Sequence, residues 1–294
     1  MVSLTRGLVT GRKGVEEMRR FLKRKSACVC ALILILMVVM CFTLPLLADK
    51  GVIKMDPYGY DVVKAAPSSE HLLGTDDIGR DCLARLLYGG RTSLTVTFFS
   101  TVIAAVIGVV LGLLAGYFRG FWEVVVMRLT DVFMSFPSNV FALVLVSVFE
   151  PSVVLLTVVI GVLSWVSFAK LVYSQTISVK EKDYIEAARA MGNGSFRILV
   201  KYVLPNVIAP IWITFTLHLG MGIMIESGLS FLGVGIQPPI ASWGNIINSA
   251  QKLMILKNCS WMWLPAGICL VIFIVCINVV GEGLRAALDP KTRM

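Results

Sequence analysis

The chain has 294 residues, of which 57% are hydrophobic and 15% charged, and it carries a formal net charge of +9. A mean hydropathy of +0.82 excludes an ordinary soluble domain and places the sequence among polytopic membrane proteins. The positive charge is clustered: eight of the 27 basic residues precede Ser26, and six lie from Lys170 to Lys201. Such clusters beside apolar runs fit cytoplasmic flanks of membrane spans rather than a nucleic-acid surface. Seven cysteines form no C-x-x-C and no His/Cys group with zinc spacing, so neither a metal nor a cofactor is expected. Cys28, Cys30, Cys41, Cys269 and Cys276 lie in apolar runs, where cysteine behaves as a small hydrophobe. Cys82 and Cys259 fall in segments expected outside, and a bond between them stays open.

Taken in order, the basic stretch to Lys25 leads into an uncharged run, Ala27 to Leu47. At about 1.5 Å per residue that run crosses the ~30 Å hydrocarbon layer, and no clean cleavage site follows, so it reads as a retained first span. Ala48 to Arg91 is a polar loop with turn residues at Asp56-Pro57 and Ala66-Pro67. Its last part, Cys82 to Tyr88, reads as an interfacial helix with Leu83, Leu86 and Leu87 on one face. The preceding Leu73-Gly74-Thr75-Asp76, then Gly79-Arg80-Asp81, Arg85, Gly90-Arg91 and Ser93-Leu94 resemble the C-type permease of peptide and nickel importers.

Thr92 to Tyr117 is a second span, with Gly108, Gly112 and Gly116 at the small-xxx-small spacing of close helix packing. Arg119 to Arg128 is a basic turn, expected inside. Arg128 and Asp131 can pair on one helical face, and Pro137 predicts a kink in a third span that ends near Glu150-Pro151. A fourth span is expected from Ser152 to Ala169 and a fifth from Val207 to Ile225. His218 interrupts the fifth span; it either lines a pathway or packs as a satisfied neutral histidine. Glu226 is expected at the outer end of that span. Gln237-Pro238-Pro239 to Trp243-Gly244-Asn245 is too broken to span and too apolar to be free, so it lies at or dips into the outer interface. Trp261 and Trp263 mark an aromatic belt before a sixth span, Leu264 to Val280.

The polar island between the fourth and fifth spans organises the rest. Ser178 with Glu181 reads as a capping box that starts a helix, Gly192 and Gly194 as its stop, and Ser195 as the cap of a second short helix towards Pro205. Tyr184, Ala187, Ala188 and Met191 fall at i, i+3, i+4, i+7 and share one nearly bare face. Glu186-Ala187-Ala188, Gly192 and Tyr202-Val203-Leu204-Pro205, at their spacing, resemble the EAA loop of ABC importer permeases. Phe136-Pro137, Ser230-Phe231-Leu232-Gly233, Ser242-Trp243-Gly244-Asn245 and the ending Leu288-Asp289-Pro290 strengthen the likeness to the peptide and nickel branch.

The resemblance implies an all-α, six-span type I permease with both termini cytoplasmic in a prokaryotic cytoplasmic membrane. It divides into a basic segment 1–26, a first span and external loop 27–91, a permease domain 92–285 with the coupling loop at 178–206, and a tail 286–294. Glu186, Ala187, Ala188, Gly192, Leu204 and Pro205 would then couple the chain to ATPase subunits, with His218 a candidate pathway residue. No G-x-x-x-x-G-K-[ST] is present, so the chain does not cradle nucleotide itself. The implied partners are two ATPase subunits, a second permease chain and an external binding protein, in membrane lipid and without nucleic acid. Peptides are the expected solute and nickel or another metal complex the alternative. A secondary transporter would need intramembrane carboxylates, and a membrane enzyme a converging catalytic set; the sequence offers neither.

Overall fold

The computed structural model describes residues 21–51, 55–59 and 61–288. The basic residues before Phe21, and Asp289-Pro290 of the expected ending, lie outside them. Among the described residues, eleven α-helices follow one another from Lys25 on, and five long helical runs plus one bent pair are apolar enough to cross a membrane. The spans are α1 (Lys25–Asp49), α2 (Cys82–Phe118), the pair α3 (Phe121–Ser135) and α4 (Ser138–Val148), and α5 (Val153–Lys180). After the short α6 (Asp183–Ala190) and α7 (Ser195–Ile198) comes α8 (Leu204–Phe231). Two short helices follow, α9 (Trp243–Asn248) and α10 (Leu253–Asn258), and then the last of these spans, α11 (Leu264–Leu288).

Most spans are longer than their apolar runs. No interfacial helix stands apart at Cys82 to Tyr88. Those residues are the first turns of α2, whose 37 residues reach about 55 Å. Asp81 starts this helix by accepting from the Ala84 N–H at 2.7 Å, and Leu83, Leu86 and Leu87 pack inward against α1 and α9. A helix that is already hydrogen-bonded and packed gains nothing by breaking at a lipid boundary, so hydropathy marks only its membrane-embedded part.

At Pro137 the structure makes a turn of 83° between α3 and α4, far more than a kink. The residue before a proline is driven out of the helical region, and Phe136 is extended at φ −111°, ψ 140°. The pair buries little of itself: Val126, Thr130, Ala142 and Val146 face inward, while Val124, Val132, Val140 and Val148 stay exposed.

The most extensive packing joins α2 to α5, and glycine permits it. A Cβ on Gly112 would lie 2.7 Å from the Ala169 carbonyl oxygen, one on Gly116 2.7 Å from Thr176 Cβ, and one on Gly161 of α5 2.8 Å from Ile103 Cβ. Backbones this close gain dispersion contacts along their length, the main drive for helix association in lipid. The spans α1 and α11 pack beside α2 and α8 around Leu34, Leu94, Ile223, Phe273 and Ile277.

At one end of the bundle, residues 55–59 and 61–81 form a compact loop. Asp76, nearly buried, accepts from the N–H groups of Ile78 and Arg80, both at 3.0 Å, and from Arg80 Nε at 2.6 Å. Thr75 Oγ1 accepts from Ala65 N at 2.8 Å and donates to Val62 O. The Thr-Asp and Gly-Arg-Asp residues of this stretch thus build the loop and cap α2. Cys82 and Cys259 share one buried cluster with Ile255 and Met262 and are free thiols.

Candidate functional site

The opposite end of the bundle carries the polar island. The span α5 runs on through Lys180, so Ser178 lies inside it and Glu181 is its C-cap; no capping box starts α6 there. Lys182 stands at the N-cap without a side-chain bond, and Asp183 and Glu186 in the first turn with Arg189 in the last complement the helix dipole instead. Lys180 Nζ donates to Tyr117 O at 2.6 Å, and Arg119 pairs with Glu181 at 3.3 Å. Both contacts tie the end of α5 to the end of α2 just before the hairpin.

The stop at Gly192 is a Schellman motif. Gly192 has φ +78° and donates to Arg189 O at 2.9 Å, while Asn193 N donates to Ala188 O at 3.3 Å. Asn193 Nδ2 adds a bond of 2.8 Å to that same oxygen. Ser195 does not cap the next helix; Gly194 holds the N-cap position without a side-chain bond. Nor is there a separate second helix. The helical run from Ser195 continues through a π-helical turn, Leu199–Val203, into α8 and on to Phe231. Pro205 has no N–H to give the i−4 carbonyl, and a widened turn just before it absorbs the missing bond.

Ala188 does not share the exposed face expected of it. It is fully buried with Ile185, and Ile185 joins Tyr117, Val179, Ile198, Val203 and Val207 in one cluster under the hairpin. The exposed surface is Tyr184, Glu186, Ala187 and Met191, continued across the bend by Phe196, which is 79% exposed. Burial pushes the Tyr184 phenol up from its ordinary value. Leu204 is half-buried against the hairpin cluster and Pro205 is exposed. Of the six coupling candidates, Glu186, Ala187 and Pro205 face outward, Gly192 makes the bend, and Ala188 and Leu204 hold the hairpin to the bundle. From Lys180 to Lys201 the island carries five basic against three acidic side chains.

His218 is 9% exposed, and its ring packs on Phe168 with centroids 4.7 Å apart. It also forms part of the wall of a cavity of about 300 Å³, with Phe133, Met134, Ser167, Lys170 and Met221. Packing and lining therefore coexist at this residue.

Sequence reasoning missed Glu226. It lies five residues inside the end of α8 and is fully buried, not at the mouth of the span. The available signal was a glutamate with serines one and four residues on, inside an apolar run.

Residues 108–294 match the family model described as the binding-protein-dependent transport system inner membrane component, and residues 16–72 that of the N-terminal transmembrane domain of oligopeptide transport permease C. The chain belongs to the binding-protein-dependent permeases of ABC importers. It is 39% identical to the oligopeptide transport system permease protein OppC of Escherichia coli K12, over 95% of this chain and 91% of that one. The glutathione transport system permease protein GsiD of Pectobacterium atrosepticum is 34% identical, over 95% and 91%. The dipeptide transport system permease protein DppC of Alkalihalophilus pseudofirmus is 34% identical, over 95% and 90%. Among solved structures, the methionine ABC transporter MetNI in an inward-facing form aligns with a TM-score of 0.57 at 21% identity, over 70% of this chain and 98% of that one. That likeness bears on the fold alone. The protein is thus a multi-pass membrane transport component and not an enzyme.

Proposed function

We propose that this permease conducts peptides and that the Asp183–Asn206 hairpin is where ATPase subunits drive it. The observation that carries the coupling reading is the two-sidedness of α6. Ile185 and Ala188 anchor it to the bundle, while Tyr184, Ala187 and Met191 are left uncovered beside Phe196. A helix held rigidly to two spans, with small and apolar side chains outward, suits a cleft on a partner. Force applied to α6 reaches α5 and α2 through Lys180 and Tyr117, and reaches α8 through the unbroken run from Ser195. Nucleotide shifts the permease between inward- and outward-open states only through its different affinity for the two, with the spans moving as nearly rigid groups.

The six site residues keep their assignments in this reading, with Ala188 and Leu204 acting from inside the hairpin. The hairpin and both termini are cytoplasmic, and the 55–81 loop and the 232–263 segment are external. A second permease chain covers the exposed valines of α3 and α4, two ATPases dock on the paired hairpins, and an external binding protein delivers solute. Oligopeptide, dipeptide and glutathione permeases among the relatives favour a peptide over a metal complex. The test is uptake of labelled di- and tripeptides and of nickel by the whole complex in proteoliposomes. Peptide accumulation is expected; nickel uptake without peptide uptake reverses the solute reading.

A further inference from the structure

Glu226 sits where a carboxyl group is costly, on an apolar helix and fully out of contact with solvent. Ser227 and Ser230 of the same helix donate to its oxygens at 3.1 and 2.9 Å, with Ser93 of α2 and Ser242 at the N-cap of α9 close by. A serine hydroxyl has one proton to donate and lone pairs left to accept. Three of these four hydroxyls accept from the backbone. Ser230 Oγ accepts from Ile236 N at 3.1 Å, Ser93 Oγ from Trp243 N at 3.1 Å, and Ser242 Oγ from Asn245 N at 3.2 Å.

The Ile236 amide of the 232–248 segment is therefore one hydroxyl away from the Glu226 carboxyl group, and beside it the Trp243 amide is held by a hydroxyl of α2. The contact leaves no slack. A Cβ on Gly244 would lie 2.6 Å from the Ser227 carbonyl oxygen, and one on Gly235 2.5 Å from Ser230 N. Stability alone is a poor account of this arrangement, because buried ionisable groups are often matched or bettered by apolar side chains of similar size. What the carboxyl group adds is a fixed orientation of the Ser230 hydroxyl that holds Ile236.

We propose that Glu226 is a positioning residue that, through Ser230, holds the 232–248 segment on the end of α8, so that an external binding protein engaging that end of the bundle is sensed by α8. This rests on the reading of that end of the bundle as external. The test uses the whole complex in proteoliposomes, with ATPase activity measured with and without binding protein, and amide hydrogen exchange across 236–245. Glu226→Leu is expected to assemble, to keep basal ATPase within about two-fold, to lose binding-protein stimulation at least ten-fold, and to speed exchange at Ile236. Glu226→Gln, which keeps one acceptor oxygen, should retain stimulation within about three-fold. If Glu226→Leu does not assemble, Ser230→Ala, which cuts the link to Ile236 and leaves the carboxyl, carries the test and should reduce stimulation about three-fold. Full stimulation in Glu226→Leu, or in Ser230→Ala when that variant carries the test, overturns the proposal, as does a loss of stimulation matched by an equal loss of basal activity. A wild-type complex that its binding protein does not stimulate overturns the external reading itself, and this proposal with it.

Discussion

Asn193 and Ala188 share one carbonyl oxygen: both the backbone N–H and the side-chain amide of Asn193 donate to Ala188 O, at 3.3 and 2.8 Å. The bend that ends α6 is thus closed by its own side chain, and the exposed face of α6 is held at one angle to the run that becomes α8. Gly192 supplies the left-handed residue between them.

Substitutions at Gly192 should rank by backbone tolerance, because nothing lies within 4 Å of a Cβ placed there. Strain of about 1–2 kcal/mol from the left-handed backbone is then the whole effect for a residue with a Cβ. Asparagine tolerates that conformation and valine does not. Gly192→Asn should transport at near wild-type rate and Gly192→Val at least ten-fold more slowly, with equal amounts in the membrane. Equal uptake by the two variants would count against the bend as a coupling element.

Ala187 and Ala188 are neighbours with opposite fates. Ala188 is fully buried and Ala187 exposed, so a tryptophan at 188 overpacks the hairpin while one at 187 obstructs only a partner. Ala188→Trp should lower the thermal stability of the isolated permease by several degrees, since overpacking costs about 1–3 kcal/mol. Ala187→Trp should leave that stability unchanged and reduce co-purification of ATPase subunits.

The glycine seam between α2 and α5 should resist enlargement. Gly112→Leu drives a side chain into Ala169 O and Val172 Cβ, 2.7 and 2.8 Å from a bare Cβ. Neither can withdraw without separating two helices. A sharp fall in folded protein recovered in detergent is expected, whereas Gly267→Leu, with nothing within 4 Å of its Cβ, should be recovered normally.

His71 gives the external loop a pH dependence with a definite sign. The hydrogen bond from Nδ1 to Asp81 Oδ2 at 2.8 Å, helped by Asp61 at 3.5 Å from Nε2 and by nearby Glu70, raises the His71 pKa above its ordinary value, with partial desolvation opposing. A raised folded-state value means the protonated form is favoured by folding. The stabilisation is therefore full below about pH 6.5 and is lost as pH rises through the raised value. The difference in melting temperature between wild type and His71→Gln should be largest in acid and vanish in alkali. A difference that grows with pH would contradict this assignment.

The spans were legible because lipid enforces long apolar runs, and the Gly108, Gly112, Gly116 spacing spoke directly of close packing. Their ends were not, since α2, α5 and α8 continue as helices after the apolar composition stops. The capping box at Ser178 misled for the same reason: the pattern is local, and the helix already under way from Val153 overrides it. At Ala188 the spacing misplaced the residue: it turns inward with Ile185 while Tyr184, Ala187 and Met191 stay exposed, because the clustered valines of the bundle lie on that side, a tertiary fact. Glu226 was hidden because its burial depends on α2 and the helix from Trp243 closing over it, with Ser93 and Ser242 brought alongside, a convergence that no local pattern expresses.

The most direct measurement of the central claim is ATP-driven accumulation of a labelled dipeptide or tripeptide in proteoliposomes containing the complete complex, with wild type compared to Ala187→Trp. The account predicts peptide accumulation by wild type that requires ATP on the hairpin side, and at least ten-fold less by the variant. Accumulation by Ala187→Trp at the wild-type rate, or wild-type liposomes that take up no peptide, would contradict it.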